Sequence, residues 1–351
     1  MSERAREWRE PSFPDRTFAC KQAPTKLPRL GFLGVGWIGR ARMQSLLESG
    51  LAEVVAIADA DGAALESAVA LADGARAHTS YASMLGEDLD GVVIATPSGA
   101  HARQAMEALE CGFAVFCQKP LTRTAEEARE VIDAARHADR LLDVDFSYRH
   151  VAGVAQLREL IGYGELGELY AIELAFHNAY GPDKPWFRDI RRSGGGCVMD
   201  LGIHLVDLAC WISGCTHAQA LDAQLFAQGR ALRRPIAEVE DYASAQWRMG
   251  ETCVRMACSW NLPAGCDAVI EASFYGTRGG ASLRNVAGSF YDFTVERFHG
   301  TRRERLASPP DAWGGRALQR WAQRLTVDSG FDETAEHLVD VATIVDRIYG
   351  R

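Results

Sequence analysis

The chain has no run approaching the roughly 18 apolar residues of a membrane-crossing helix, so no membrane span is expected. It has no excess of basic charge. Lysine and arginine number 38 against 47 aspartates and glutamates, a formal net charge of −9, and that balance argues against nucleic acid as a partner. Its nine cysteines include no Cys-x-x-Cys pair and lie scattered in apolar segments, so neither a disulfide framework nor a bound metal is expected. That usage suits a reducing, cytoplasmic setting. Residues 1–28 mix both charge signs with prolines and lack the apolar stretch of a signal peptide, and an irregular arm is expected there. Internal repeats and low-complexity tracts are missing as well.

What is present is the composition of a folded globular chain, 351 residues with 47% hydrophobic and 24% charged, long enough for two domains with cores of their own. From position 29, short apolar runs alternate with helical patterns at the spacing of βαβ units. Strands are predicted over 29–34, 53–59, 91–96, 113–117 and 141–146, and helices over 40–48, 63–72, 101–110 and 125–138. Gly50 and Gly112 stand at helix C-cap positions, and Thr124 with Glu127 has capping-box spacing. This is the α/β pattern of a doubly wound parallel sheet, assigned to 29–149. The remainder, 150–351, reads as an α+β domain. Helices are predicted over 151–161 and 196–212, with a strand over 169–176 between them. Strands over 241–248, 252–260, 268–275 and 293–298 then follow one another without helices between, which makes a large, mostly antiparallel open sheet. Helices over 316–325 and 333–349 close the chain.

Residues 30–40, LGFLGVGWIGR, place Gly34, Gly36 and Gly39 in a G-x-G-x-x-G pattern between a strand and a helix. The first glycine permits a tight turn, the second lets the backbone approach a pyrophosphate, and the third lets helix and strand pack closely. Trp37 and Ile38, among these glycines, are candidate cofactor contacts, and the free N–H groups and dipole of the helix that follows suit phosphate oxygens. Asp59 ends the second strand, where an acid holds ribose hydroxyls and repels a 2′-phosphate, which favours NAD over NADP. With Asp61 it also has the form of a helix cap. Thr96, Pro97, Ser98 and His101 follow another strand and line the nicotinamide side of such a crevice, or simply make its turn.

The run FCQKPL, 116–121, puts Lys119 directly before a proline, which holds the lysine out of helix at the carboxyl end of a strand. Open α/β sheets bind ligands there. Farther on, SGGGCVMDLGIHLVDLACWIS, 193–213, puts Asp200, His204 and Asp207 at i, i+4 and i+7, on one face of a predicted helix. An acid and an imidazole one turn apart can share a substrate hydroxyl, one taking the proton while the other orients it. They can equally form a plain surface pair.

Taken together, GFLGVGWIGR, IATPSGAHARQAMEALECG, QKP and GGGCVMDLGIHLVDL resemble the glucose-fructose oxidoreductase, inositol dehydrogenase and rhizopine-catabolism (Gfo/Idh/MocA) family, from about residue 29 to the end. The resemblance implies an N-terminal Rossmann domain and a C-terminal domain whose open sheet forms the interface of a homo-oligomer, dimer or tetramer. It implies an NAD(P)-dependent oxidoreductase that moves a hydride at a secondary hydroxyl or ketone of a sugar, sugar derivative or cyclitol. Lys119, Asp200 and His204 would surround the reacting carbon, with Gln118 and Lys119 beside the cofactor. His204, at an ordinary imidazole pKa, is expected to exchange the proton while Lys119 donates to the developing alkoxide, or Lys119 carries the proton itself, as varies among relatives, and Asp200 is expected to hold a substrate hydroxyl. Two other readings stand beside this one: NAD-assisted glycoside hydrolysis, and nucleotide sensing without turnover.

The chain departs from the family pattern at Gln118, where the family has glutamate. The change keeps shape and hydrogen-bonding reach but removes a negative charge. The loop FHNAYGPDKPWFRDIRRSGGG, 176–196, offers Tyr180, Trp186 and Arg188 to stack on a sugar ring and hold hydroxyls or a phosphate, or else as loop packing. Arg302, Arg303 and Arg305 read as a solvated face.

Overall fold

A computed structural model describes residues 26–351. Apart from 26–28, the arm expected over 1–28 lies outside the described residues. The first sheet has six parallel strands: β1 (Arg29–Leu33), β2 (Glu53–Ala58), β3 (Arg76–His78), β4 (Gly91–Ile94), β5 (Ala114–Cys117) and β6 (Leu142–Val144). They run in the order β3-β2-β1-β4-β5-β6. Helices α1 (Trp37–Ser49), α2 (Gly62–Val69), α3 (Tyr81–Met84), α4 (His101–Glu110) and α5 (Ala125–Ala138) connect them. Parallel strands covered on both faces need apolar residues throughout, and β4 and β5 are buried at every position. β3 and α3, three and four residues long, are too short to show a period and were not predicted. The order reverses direction between β1 and β4, and a ligand crevice opens outside the carboxyl ends of such a pair.

α5 starts as expected at Thr124, whose side chain accepts the Glu127 N–H at 3.2 Å. The Glu127 carboxylate reaches back to the Arg123 N–H at 2.9 Å, one residue before the usual capping-box partner.

The second sheet has nine strands: β7 (Leu169–Asn178), β8 (Ala218–Ala227), β9 (Arg230–Ala231), β10 (Tyr242–Met249), β11 (Thr252–Ser259), β12 (Ala268–Gly276), β13 (Gly280–Asn285), β14 (Phe293–His299) and β15 (Arg302–Ala307). Their order is β15-β14-β13-β12-β7-β11-β10-β8-β9, antiparallel except where β7 meets β11. Sequence reading missed β8, β9, β13 and β15. β15 shows why: RRERLA is exposed over its first four residues and has no inward apolar row. The Arg302, Arg303 and Arg305 cluster is therefore an edge strand, with Arg303 and Arg305 facing Glu296.

Helices α6 (Val154–Gly162), α7 (Ile190–Ser193) and α8 (Ile203–Ser213) accompany this sheet. Along β7, Ile172, Leu174 and Phe176 are buried while Ala171, Glu173 and Ala175 face the more open side. The helix expected over 196–212 is interrupted, because Val198–Gly202 is π-wound before α8 begins. By length and composition Ile190–Ser213 could cross a membrane, but 89% of its 18-residue apolar window is buried, as in a core helix.

Two helices close the chain, α9 (Arg316–Leu325) and α10 (His337–Tyr349). α9 returns to the first sheet, where Leu318, Trp321 and Ala322 join Leu30, Phe32 and Phe116 in one core. Trp321 meets Phe116 with ring centroids 5.7 Å apart. A boundary at 149/150 therefore leaves one late helix on the earlier side.

Candidate active site

The glycine loop forms at the carboxyl end of β1. Gly34 has φ +85°, and a Cβ there would lie 2.7 Å from the Ala95 backbone; a Cβ on Gly39 would lie 2.1 Å from the Gly34 oxygen. Both positions admit no side chain. Gly36 differs, since a Cβ there meets nothing within 4 Å. It is the N-cap of α1, which has no side-chain cap and no acid in its first turn. Its uncapped N–H groups thus face open space. A pyrophosphate fits this opening on the donors it offers. Trp37, 69% exposed, stands beside it, with Ile38 half-buried.

Asp59 accepts the Val35 N–H at 2.7 Å and the Asp61 N–H at 2.8 Å. It braces the glycine loop from the end of β2, where a ribose would lie. Capping of α2 falls to Asp61, which accepts the Ala63 N–H at 3.0 Å.

Two expected cofactor contacts are turned inward instead. His101 is 1% exposed, and its ring nitrogens lie 2.7 Å from the Thr96 and Pro120 carbonyl oxygens. It is a strut between two strand ends. Burial holds its pKa below the ordinary value. Gln118, 6% exposed, gives its amide to Asp145 at 2.6 Å, so it does not face Lys119. Thr96 is also engaged, its hydroxyl on Gln104 at 2.5 Å. Ser98 is buried, while Pro97 is half-buried at the turn.

Lys119 and Asp200 meet, although 81 positions separate them. The ammonium donates to both the Asp200 carbonyl and Oδ1 at 2.8 Å. Oδ2 takes the Trp260 indole N–H at 3.0 Å. Each carboxylate oxygen thus takes one protein donor and keeps capacity for a second, so the arrangement leaves room for the substrate hydroxyl expected at Asp200. An ammonium has three N–H donors. Two go to Asp200 and one remains.

His204 is packed among aromatic rings, edge-on to Tyr148 at 4.9 Å and to Phe146 at 6.4 Å. It makes no hydrogen bond among the described residues, and its Nδ1 is buried without a partner. Burial first, then the charges of Lys119 and Arg42, push its pKa well below the ordinary value. The ordinary pKa expected for this imidazole is therefore overturned. It is neutral at pH 7. The π-wound turn alters the winding between Asp200 and His204, while His204 and Asp207 keep the ordinary three-residue spacing within α8. Asp207 turns to Arg149, whose Nε lies 2.8 Å from its Oδ2. Burial pushes that carboxyl up, but Arg149 and His337 outweigh it and hold the pKa below the usual range.

The three glycines before Asp200 have separate reasons. Gly194 has φ +83°, while a Cβ on Gly195 would lie 2.0 Å from the Tyr349 hydroxyl and one on Gly196 1.9 Å from the Glu240 carbonyl. Glu240, fully buried, accepts the Gly196 N–H at 2.9 Å, the Val198 N–H at 2.9 Å and the Tyr349 hydroxyl at 2.8 Å. A remote carboxylate thus caps the segment that carries Asp200 and His204.

In the preceding loop, Trp186 stacks on Phe187 at 3.8 Å, and Phe187 stands edge-on to Trp260 at 6.2 Å. Trp186 therefore reaches the Asp200 cluster through two rings. Arg188 lies beside Gly181 and Asn261, since a Cβ on Gly181 would be 3.1 Å from both side chains. Tyr180 points elsewhere, its hydroxyl on Asp267 at 2.6 Å. Trp260, Glu240 and Tyr148 had no sequence signal, because each acts through contacts far along the chain.

Residues 28–146 match the model of an oxidoreductase family with an NAD-binding Rossmann fold, and residues 154–282 match the GFO/IDH/MocA C-terminal domain. The chain belongs to the GFO/IDH/MocA family. The rhizopine catabolism protein MocA of Rhizobium meliloti is 34% identical over 188 residues, 53% of this chain and 57% of the relative. Inositol 2-dehydrogenase of Rhizobium meliloti (strain 1021) is 34% identical over 186 residues, 53% of this chain and 55% of the relative. The chain spans about half the length of these curated relatives. A solved structure of levoglucosan dehydrogenase in complex with NADH superposes with a TM-score of 0.79 over 92% of this chain and 95% of that one, at 21% identity. At that identity the likeness shows the GFO/IDH/MocA fold.

Proposed function

We propose that the protein is an NAD-dependent dehydrogenase or ketoreductase acting on a secondary hydroxyl or ketone of a sugar, sugar derivative or cyclitol. The observation that carries this reading is the Lys119–Asp200 pair beside a neutral, unpartnered His204. The glycine loop and Asp59 would hold NAD, and NAD when bound supplies the hydride acceptor or, reduced, the donor. Asp59 favours NAD over NADP, because a 2′-phosphate would meet its carboxylate.

The protein's own groups manage the proton and the charge. Asp200 and Trp260 fix the Lys119 ammonium, whose third N–H points its positive charge at the substrate oxygen and stabilises alkoxide character there. His204 enters as a neutral base able to accept the carbinol proton, and returns it when a ketone is reduced. Trp186 and Arg188 supply a flat face and a planar donor for a polyhydroxylated ring. The open side of the second sheet, with Ala171, Glu173 and Ala175 facing outward, suits an interface between copies of the chain in the cytoplasm.

The test is NADH formation by purified protein over a panel of cyclitols, sugars and sugar phosphates. Turnover is expected with at least one polyol, and Lys119→Met and His204→Ala should each lower kcat by about 10²–10⁴-fold. Tight NADH binding without turnover anywhere on the panel would sink the assignment. So would full activity in either variant.

A further inference from the structure

The departure at Gln118 acquires a meaning in the fold. Gln118 follows β5 and Asp145 follows β6, and the Asp145 N–H donates to the Cys117 carbonyl at 2.9 Å, so the two side chains are neighbours at the sheet's crest. Gln118 Nε2 donates to Asp145 Oδ2 at 2.6 Å, and the same oxygen accepts Arg42 Nε at 2.6 Å. The Asp145 side chain is 0% exposed, and its other oxygen has no partner among the described residues. Arg42 lies in α1, the helix that begins at the glycine loop, and its charge is felt at His204. One buried carboxylate therefore ties three parts of the site together: the cofactor helix, the strand end that leads into Lys119, and the surroundings of the imidazole.

The residues at 118 and 145 make a matched set. A glutamate at 118 would put two carboxylates within hydrogen-bond distance in a place closed to water, where one of them must keep a proton. Glutamine avoids this and gives a donor instead. Without Asp145, in turn, Arg42 would remain a nearly buried cation with no counter-charge.

We propose that Asp145 carries the negative charge that the family pattern places at position 118, and that through Arg42 and Gln118 it positions α1 and the Lys119 turn relative to each other. It is a positioning residue, since it acts through Gln118 and Arg42. Its effect on turnover rests on the dehydrogenase reading; its effects on cofactor binding and stability do not.

Four proteins test this: wild type, Gln118→Glu, Asp145→Asn, and the double variant that moves the carboxylate back to 118. NADH affinity is read by fluorescence titration, stability by thermal unfolding, and kcat and KM on whichever polyol turns over. Each single variant should weaken NADH binding by about tenfold and lower Tm, and the double variant should recover most of both, a strongly non-additive cycle. On a substrate, the singles should lose about tenfold in kcat with KM nearly unchanged, and the double should regain it. Losses that simply add in the double variant would overturn the proposal, as would either single behaving like wild type in NADH affinity and Tm. If a single variant fails to fold, the double decides: a folded protein that binds NADH supports the relocated charge, and an unfolded one refutes it. Absence of turnover on every polyol would count against the dehydrogenase reading and leave the binding and stability cycle to judge Asp145.

Discussion

Removing Glu240 tests how the segment bearing Asp200 and His204 is held. Its carboxylate serves three buried donors, the Gly196 and Val198 N–H groups and the Tyr349 hydroxyl. Glu240→Ala leaves all three without an acceptor, and at about 1–3 kcal/mol for each unsatisfied donor the gross cost is about 3–9 kcal/mol. Part of this is offset, because a buried carboxylate is itself costly, as the upward push of burial on its pKa shows. A net loss of about 3–5 kcal/mol follows. With about 2.1 cal/mol/K of unfolding entropy per residue over 351 residues, each kcal/mol moves Tm by about 1.4 °C, so Tm should fall by about 4–7 °C. Glu240→Gln keeps the oxygen that meets Val198 and Tyr349 and should cost about 1–2 kcal/mol. Thermal and urea unfolding read the stabilities. Because the Asp200 N–H bonds the Gly196 carbonyl at 3.0 Å, kcat should fall in the same order. An alanine variant within about 1 kcal/mol of wild type, or one no worse than glutamine, would refute the capping argument.

Gly36→Ala separates cofactor binding from folding. The added methyl meets no protein atom within 4 Å and φ is −60°, so Tm should hold, while NADH binding should weaken by about tenfold, or about 1.4 kcal/mol. Unchanged NADH affinity would mean that no phosphate passes over that glycine. Acid should act through His150, whose pKa burial first, then Arg320 and Arg149, push down to about 4. A histidine depressed below its unfolded value, about 6.5, stabilises the fold above that value and loses this contribution as pH falls through the folded one. Between pH of about 6.5 and 4 the wild type should therefore lose about 1.4 kcal/mol per pH unit relative to His150→Gln. Glu240 and Asp143, both raised by burial, act with the opposite sign but are common to the two proteins. Parallel urea midpoints across that range would contradict the assignment.

What the sequence disclosed was whatever a local period or a short motif encodes. The glycine loop shows this, since its three reasons for glycine all lie within one βα turn and its nearest strand end. Lys119 was legible because Pro120 marks it, and α4, α5 and α9 because each carries an apolar stripe at helical spacing. β15 was invisible for the opposite reason, having no buried row to alternate. Trp260 and Glu240 were invisible because neither Trp-Asn nor Val-Glu-Asp has a local meaning. Each acquires its role from a partner tens of residues away, Asp200 for Trp260 and the Gly196 segment for Glu240.

The segment from Asp200 to Asp207 carries an irregularity that no sequence period shows. An i, i+4, i+7 pattern assumes a constant 100° per residue, and a single π turn between Val198 and Gly202 lowers it for five residues. Asp200 meets Lys119, His204 enters an aromatic pocket, and Asp207, three residues further along α8, meets Arg149. The insertion is consistent with the glycines around it. Gly196 lets Glu240 come close enough to cap the segment, and a Cβ on Gly202 would press within 3.2 Å of Cys258 Sγ on the neighbouring strand. The irregular winding is thus held at both ends by close backbone approach, and it lets one short segment put an acid against the lysine and an imidazole among aromatic rings.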